Sequence, residues 1–256
     1  MAALLRNLMP LPSKIRFVLW RILSATESIT VRLYGGEVLT IRRSPHLDLE
    51  VAFEVYVSQI YSPPRALEID SIRRVVDVGA NVGYTLVFLA RRFPASRFLA
   101  FEPHPLNARQ AAANIVSNRL QDRVTLRAEA AGTARGRAFI SDRSAGSRIT
   151  RQGGLGLLPV QVVDFFETVG SAEIDLLKID CEGGEYDLVM DPRFENLRAR
   201  VLVMEWHLTK EHPAADVELM QRLAECGWEL LPTCEYRHFM PENGLYGCGL
   251  VWGFRG

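Results

Sequence analysis

An α/β fold, with a mostly parallel sheet and helices on both faces, is the class this sequence predicts, and three observations predict it. Residues 75–88, VVDVGANVGYTLVF, run from β-branched residues through a short loop bounded by Gly79 and Gly83 into an apolar segment with helical spacing. A second apolar strand, Arg97–Phe101, precedes a helical segment at 107–118, which completes a β-α-β unit with parallel strands. Further apolar runs at 124–126, Ile174–Ile179 and 201–204 supply a third, fourth and fifth strand.

With 256 residues, 48% of them hydrophobic, the chain can bury the core of one such domain plus an extension, but not two large domains. It divides into a helical and hairpin extension, 1–65, and a main domain, 66–256. Lysine plus arginine equals aspartate plus glutamate at 30 each, so no global field draws it to nucleic acid, and no nucleic-acid partner is expected. Cys181, Cys226, Cys234 and Cys248 form no CxxC pair and no zinc-like cluster, and read as free thiols in a cytoplasmic setting.

Residues 1–23 are apolar and basic, but Pro10 and Pro12 split them and Arg16 and Arg21 interrupt them. They suit neither a signal peptide nor a membrane span, which needs about 20 mostly apolar residues. Residues 14–23, KIRFVLWRIL, read as an amphipathic helix with Phe17, Trp20 and Ile22 or Leu23 facing the fold; a basic helix of this kind also suits a weak membrane-surface contact. Residues 29–41 hold two β-branched runs joined by Tyr34, Gly35 and Gly36, a β-hairpin. Residues 47–61 have helical spacing and stop before Ser62, Pro63 and Pro64.

Gly79 permits a sharp turn, and Gly83 lets the helix start lie close to a strand or ligand, offering unpaired N–H groups to an anion. Glu102 follows Gly83 by 19 residues, near the spacing of ~20 at which an acidic residue accepts ribose hydroxyls. The third strand runs into Glu129 and Ala130, where an adenine edge would be met, and such sheets bind ligands beyond their strands' carboxyl ends. The loop reads G-A-N-V-G, with Asn81 near the place of the middle glycine of a dinucleotide loop. Asp77 would repel a pyrophosphate but suits an ammonium group. S-adenosylmethionine has that ammonium, a carboxylate for the helix start and a ribose for Glu102, and is favoured over NAD.

The fourth strand delivers Asp180, Glu182 and Glu185 through Gly183 and Gly184 to the same rim. Carboxylates gathered this closely are costly unless solvated, paired or used; Glu185 also suits capping the next helix, and Lys178 is expected to pair with one of them. The fifth strand ends at Glu205, Trp206 and His207. Were the cofactor's methyl group passed to an alcohol, the step would need in-line alignment and a group to take the proton, for which His207, Glu182, Glu205 and Asp180 are candidates. No metal is assigned, although Asp180 and Glu182 are oxygen donors a divalent cation accepts. Between 132 and 161 the chain carries Arg135, Arg137, Arg143, Arg148 and Arg151 against Asp142, with Ser144, Gly146 and Ser147 among them. This reads as a solvated hairpin, or as a mobile loop whose arginines receive an anionic acceptor. Cys181, Trp206, Trp228, Tyr236, Tyr246 and Trp252 are expected to pack the core, with one or two of the aromatics also suited to line an acceptor pocket.

Four segments in this order, DVGANVG (77–83), FEPHPLNARQAAANI (101–115), IDLLKIDCEGGE (174–185) and VLVMEWH (201–207), resemble the FkbM-type S-adenosylmethionine-dependent methyltransferases. The resemblance covers about residues 48–207. It implies a Rossmann-like class I methyltransferase with a seven-stranded sheet, antiparallel near one end, and O-methylation of a hydroxyl on a small molecule or sugar. Its acidic motif carries over onto Asp180, Glu182 and Glu185. The expected cofactor-binding set is Asp77, Gly79, Ala80, Asn81, Gly83, Glu102, Pro103, Glu129, Ala130 and Asp180. Two alternatives stand beside it: a non-catalytic S-adenosylmethionine-binding protein and an NAD-type oxidoreductase.

Overall fold

The computed structural model describes residues 8–64, 72–141, 148–150, 152–231, 234–236 and 245–255. Its centre is a sheet built on β3 (Arg74–Val78), whose Val75, Val76 and Val78 are buried. β4 (Arg97–Phe101) and β5 (Val124–Arg127) add in parallel on one side, and β10 (Ile174–Ile179) and β11 (Ala199–Thr209) on the other. β14 (Leu245–Phe254) then runs antiparallel to β11, and β12 (Glu229–Leu230) closes that edge, giving the order β12-β14-β11-β10-β3-β4-β5. This is the expected seven-stranded mixed path; β13 (Cys234–Tyr236) pairs with β14 beside it. Because strand order reverses between β3 and β10, their carboxyl ends open onto a crevice that neither crossover covers.

Helices α3 (Tyr84–Arg92), α4 (Pro105–Ser117), α5 (Phe165–Val169), α6 (Gly184–Met190) and α7 (Ala215–Glu225) form the crossovers or flank the sheet. α4 starts two residues earlier than expected, because Pro105 suits the first helical turn and the His104 Nδ1 accepts the Leu106 N–H at 3.3 Å.

Two apolar layers cover the sheet, and one of them runs from Met9, Phe17 and Ile41 to Leu86, Leu176 and Trp252, so the first sixty-odd residues share a core with the main sheet. α1 (Leu11–Leu23) buries Ser13, Phe17 and Trp20. The expectation for Ile22 or Leu23 is corrected: they are 72% and 75% exposed, because helical spacing from Phe17 and Trp20 brings Ser13 onto the inner face and turns both away. The hairpin of β1 (Ser28–Arg32) and β2 (Val38–Arg42) is present, and Asn114 and Asn118 accept the Thr40 and Val38 N–H groups at 2.9 Å each. The segment after it divides into α2 (Asp48–Phe53) and a wider helical turn, Glu54–Ser58, that ends at left-handed Gln59.

Between β5 and β10 lies a second sheet of order β6-β9-β7-β8, made by β6 (Ala130–Gly132), β7 (Gly136–Ser141), β8 (Ile149–Thr150) and β9 (Leu157–Asp164). Much of the arginine-rich stretch is thus ordered sheet; Asp142, Arg143, Ser144, Gly146, Ser147 and Arg151 lie outside the described residues. β11 runs five residues past the expected end, so Glu205, Trp206 and His207 sit within a strand paired to β14. Trp206, Trp228 and Trp252 are buried as expected, Tyr246 is exposed, and the Tyr236 side chain lies outside the described residues. Cys181 and Cys226 are free thiols, Cys181 half-buried rather than in the core. Among the described residues no helix is long and apolar enough to cross a membrane.

Candidate active site

Two loops meet beyond the carboxyl ends of β3 and β10. Gly79, at φ +86°, crosses the second loop so closely that a Cβ there would lie 1.7 Å from the Asp180 carbonyl oxygen. Its N–H and that of Ala80 bond the Phe101 carbonyl at 3.0 and 2.9 Å, pinning the loop to β4. The Glu102 carboxylate is then gripped by two backbone donors, Asn81 N–H on Oε2 and His104 N–H on Oε1, both at 2.8 Å. Burial nevertheless pushes its pKa up to about 7 against those two bonds.

These residues face a cleft that opens to solvent. Gly79, Asn81, Glu102, Pro103, Ala130 and Asp180 of the expected cofactor set line it, and Glu182 does too. Asp77, Ala80, Gly83 and Glu129 are not among its lining residues. Asp77 is fully buried, with its Oδ1 3.0 Å from Lys178 Nζ. Gly83 makes its close approach to Ala111 of α4, not to a strand or the cleft: a Cβ there would lie 3.1 Å from Ala111 Cα. Glu129 pairs with Arg127 at 2.6 Å over a separate groove, which Arg135 and Arg137 also border. His104, Asn107, Cys181, Ile140 and Ile149 line the cleft without having been singled out for it; the last two come from the second sheet, whose strands the sequence reading missed.

Beside the cleft sits the acidic cluster. Lys178 Nζ donates to the Gly79 carbonyl at 2.6 Å and lies 3.4 Å from Asp180 Oδ2 as well as 3.0 Å from Asp77. Burial opposes the ammonium, yet the two aspartates hold its pKa above the ordinary lysine value. Tyr61 donates its hydroxyl to Asp180 Oδ2 at 2.7 Å, with Glu205 Oε2 at 3.1 Å. Burial would raise the Asp180 carboxyl, but Lys178, His207 and Tyr61 together lower it.

His207 is 4% exposed in its side chain and is held by Glu185, whose Oε1 accepts the His207 N–H at 2.9 Å and lies 3.0 Å from Nδ1. Glu185 Oε2 also takes the Gly183 N–H at 2.9 Å, so this acid anchors the start of α6, as its capping role anticipated, and orients the imidazole too. His207 Nε2 reaches within 3.6 Å of Glu182 and 3.7 Å of Glu205. Although burial works against the imidazolium, these three acids raise its pKa well above the usual histidine value.

Glu182 keeps 31% of its side chain exposed, in a left-handed backbone conformation (φ +57°) that non-glycine residues rarely adopt. Desolvation and the surrounding acids push its pKa up to about 7, with His207 pulling the other way. Glu54, unmarked in the sequence, is pushed to about 7 by burial and by Asp180 and Glu182. Asp180, Glu205 and His207 place one ligand atom each within 4.8 Å of one another, the spacing a cation needs. Arg148 stands next to this rim: a Cβ at Gly183 would lie 3.5 Å from its Nε, and its Nη2 pairs with Glu211 at 3.0 Å.

The switch-point cleft, with an acid gripped by backbone at the end of the second strand and carboxylates across from it, defines a class I methyltransferase. A family model described as the methyltransferase FkbM domain matches residues 77–230, and the chain belongs to that family. Its methyl donor is S-adenosylmethionine, which displaces the NAD-type alternative. Among solved structures, TYW2 of M. jannaschii in complex with AdoMet shares 14% identity over 90% of this chain and 86% of that one, with a TM-score of 0.52. A protein of Pyrococcus horikoshii described as a transferase shares 13% identity over 95% and 84%, with a TM-score of 0.55. Both likenesses are of fold. The comparison with curated proteins finds no match.

Proposed function

We propose that this methyltransferase methylates a hydroxyl oxygen on a small molecule or sugar, with Glu182 as the base. The observation that carries the proposal is the placement of Glu182: at the cleft, beside His207, with a carboxyl pKa of about 7. A base poised there takes a hydroxyl proton at neutral pH without being fully protonated beforehand.

The cleft fits the methyl donor on its own chemistry. Glu102 presents a carboxylate, already fixed by two N–H groups, to the cleft, and Ala130 and Ala131 add apolar lining to it. Bound there, S-adenosylmethionine supplies an electrophilic methyl carbon. Glu102 would hold its ribose and the backbone around Gly79 and Asn81 its methionine end. Glu185 fixes the His207 ring, and the imidazolium steadies Glu182 and Glu205. Lys178 and His207 supply the positive charge these acids need, so we read the reaction as metal-free. Arg148, beside Gly183, favours an acceptor carrying phosphate or carboxylate.

Labelled methyl transfer to hydroxylated acceptors, neutral, phosphorylated and carboxylated sugars among them, tests this reading. The expected product is a methyl ether, formed equally with and without a chelator. Tight S-adenosylmethionine binding with no transfer to any acceptor would favour the non-catalytic alternative, and transfer only to nitrogen or carbon would overturn the oxygen assignment.

A further inference from the structure

α1 has two apolar faces, and the fold uses one. Ser13, Phe17 and Trp20 point inward, where the Trp20 indole N–H donates to the Thr26 carbonyl at 3.0 Å and the Arg43 guanidinium covers its ring at 4.5 Å. Leu11, Ile15, Val18, Leu19, Ile22 and Leu23 are all exposed. At about 100° per residue these six fall in an arc of roughly 140° on the opposite side of the helix. They are a continuous stripe, not scattered side chains, and such a stripe on a water-soluble surface marks a contact.

The charges around the stripe identify the contact. On the same helical wheel Arg16 borders one margin and Lys14 and Arg21 the other, while no acidic residue occurs in the helix. An apolar strip with cations along both edges matches the headgroup boundary of a bilayer rich in anionic phospholipid, where the strip enters the acyl edge and the cations reach the phosphates. A second copy of the chain matches it poorly, since a two-fold contact through α1 would bring three cations against three with no acid to answer them. At 13 residues the helix is about 20 Å long, too short to span and suited to lying flat. We propose that α1 is a membrane-surface anchor that docks the enzyme on anionic lipid through this stripe. The enzyme then works next to lipid.

Cosedimentation of the full chain with phosphatidylcholine vesicles, with and without phosphatidylglycerol, tests the proposal. The expected result is binding to the anionic vesicles at least tenfold stronger than to the neutral ones, weakened by salt. The Leu19→Glu/Ile22→Glu variant, altered only at exposed positions, is expected to lose at least tenfold of that binding, and Lys14→Gln/Arg16→Gln/Arg21→Gln to lose the preference for anionic lipid. S-adenosylmethionine affinity, measured by calorimetry, is expected to be unchanged in both variants and shows that they are folded. Absence of wild-type binding to either vesicle, or binding that both variants retain, would overturn the proposal. So would a dimer in light scattering that Leu19→Glu/Ile22→Glu converts to monomer, because the stripe would then belong to a second copy.

Discussion

The two walls of the cleft are built in different ways. On the β3–β4 side nearly every position is set by main chain: Gly79 against the Asp180 carbonyl, two N–H groups on the Phe101 carbonyl and two on Glu102. On the β10–β11 side side chains gather from far apart in the chain, Tyr61, Lys178, Asp180, Glu182, Glu185, Glu205 and His207, and they settle their charges among themselves. A backbone-built wall is rigid and holds an invariant ligand; a wall of coupled carboxylates can exchange protons. We assign methyl-donor binding to the first and chemistry to the second, and variants that damage one wall while sparing the other test that division.

Gly79→Ala is expected to have the largest effect, because it strikes where the walls touch. The new methyl would enter the Asp180 carbonyl, and the left-handed backbone adds strain, for a loss of about 3 kcal/mol or more in folding free energy. Thermal melting and donor binding should both collapse. A variant with near-normal melting and affinity would show that the two loops move apart readily.

Glu182→Gln comes next, with transfer expected to fall by about 10²–10⁴-fold while S-adenosylmethionine affinity is kept. The pH profile carries the sign. Glu182 has its pKa raised to about 7, so it is protonated and idle below that value and becomes a base above it. Single-turnover transfer should therefore rise with pH through about 7. His207 pulls that pKa down, so His207→Gln should shift the rising limb to higher pH and not abolish it. A flat profile in the wild-type enzyme would remove Glu182 from the role of base.

Glu102→Gln perturbs the other wall. The amide loses the charge that ribose hydroxyls bind and sets an NH₂ group against one of the two backbone donors, so donor affinity should fall about 10- to 100-fold, measured by calorimetry. Turnover at saturating donor should change little. Loss of turnover with unchanged affinity would invert the assignment of the walls.

The same contrast explains what could be read in advance. The first wall is local: the strand, the glycine loop and Glu102 lie within about thirty residues of sequence, and hydrophobic periodicity with glycine placement reports them. The lysine beside Asp77 has no such local signal, because sequence does not show that β3 and β10 lie side by side with Asp77 opposite Lys178. The second wall depends on such pairings. Asp180, Glu182, Glu185, Glu205 and His207 could be named from acid clustering after strands, but not that Glu185 would orient His207 from 22 residues away. Tyr61 and Glu54 had no local signal at all, since a tyrosine before two prolines and a glutamate in a helix are ordinary. The second sheet escaped because its short strands are interrupted by glycine and arginine-rich sequence, which carries no clear period.

Tyr61→Phe makes the smallest and most selective change to the comparison. Its hydroxyl arrives from the segment before the main sheet and donates to Asp180 Oδ2 at 2.7 Å, with Glu205 Oε2 at 3.1 Å. Phenylalanine keeps the ring that lies 5.5 Å from the Lys178 ammonium but leaves the two carboxylates closer to direct repulsion. A hydrogen bond to a charged group contributes about 1.5–3 kcal/mol, and Lys178 takes up part of the loss at Asp180. Transfer should drop about three- to tenfold, in line with ~1 kcal/mol of lost positioning. The Asp180 carboxyl should titrate at higher pH than in the wild type, since one of the groups that lowers it is gone. Donor affinity should not move, because Tyr61 is absent from the cleft lining. Should affinity fall along with transfer, Asp180 would be serving both walls through its Tyr61 bond, and the boundary between binding and chemistry would have to pass through Asp180 itself.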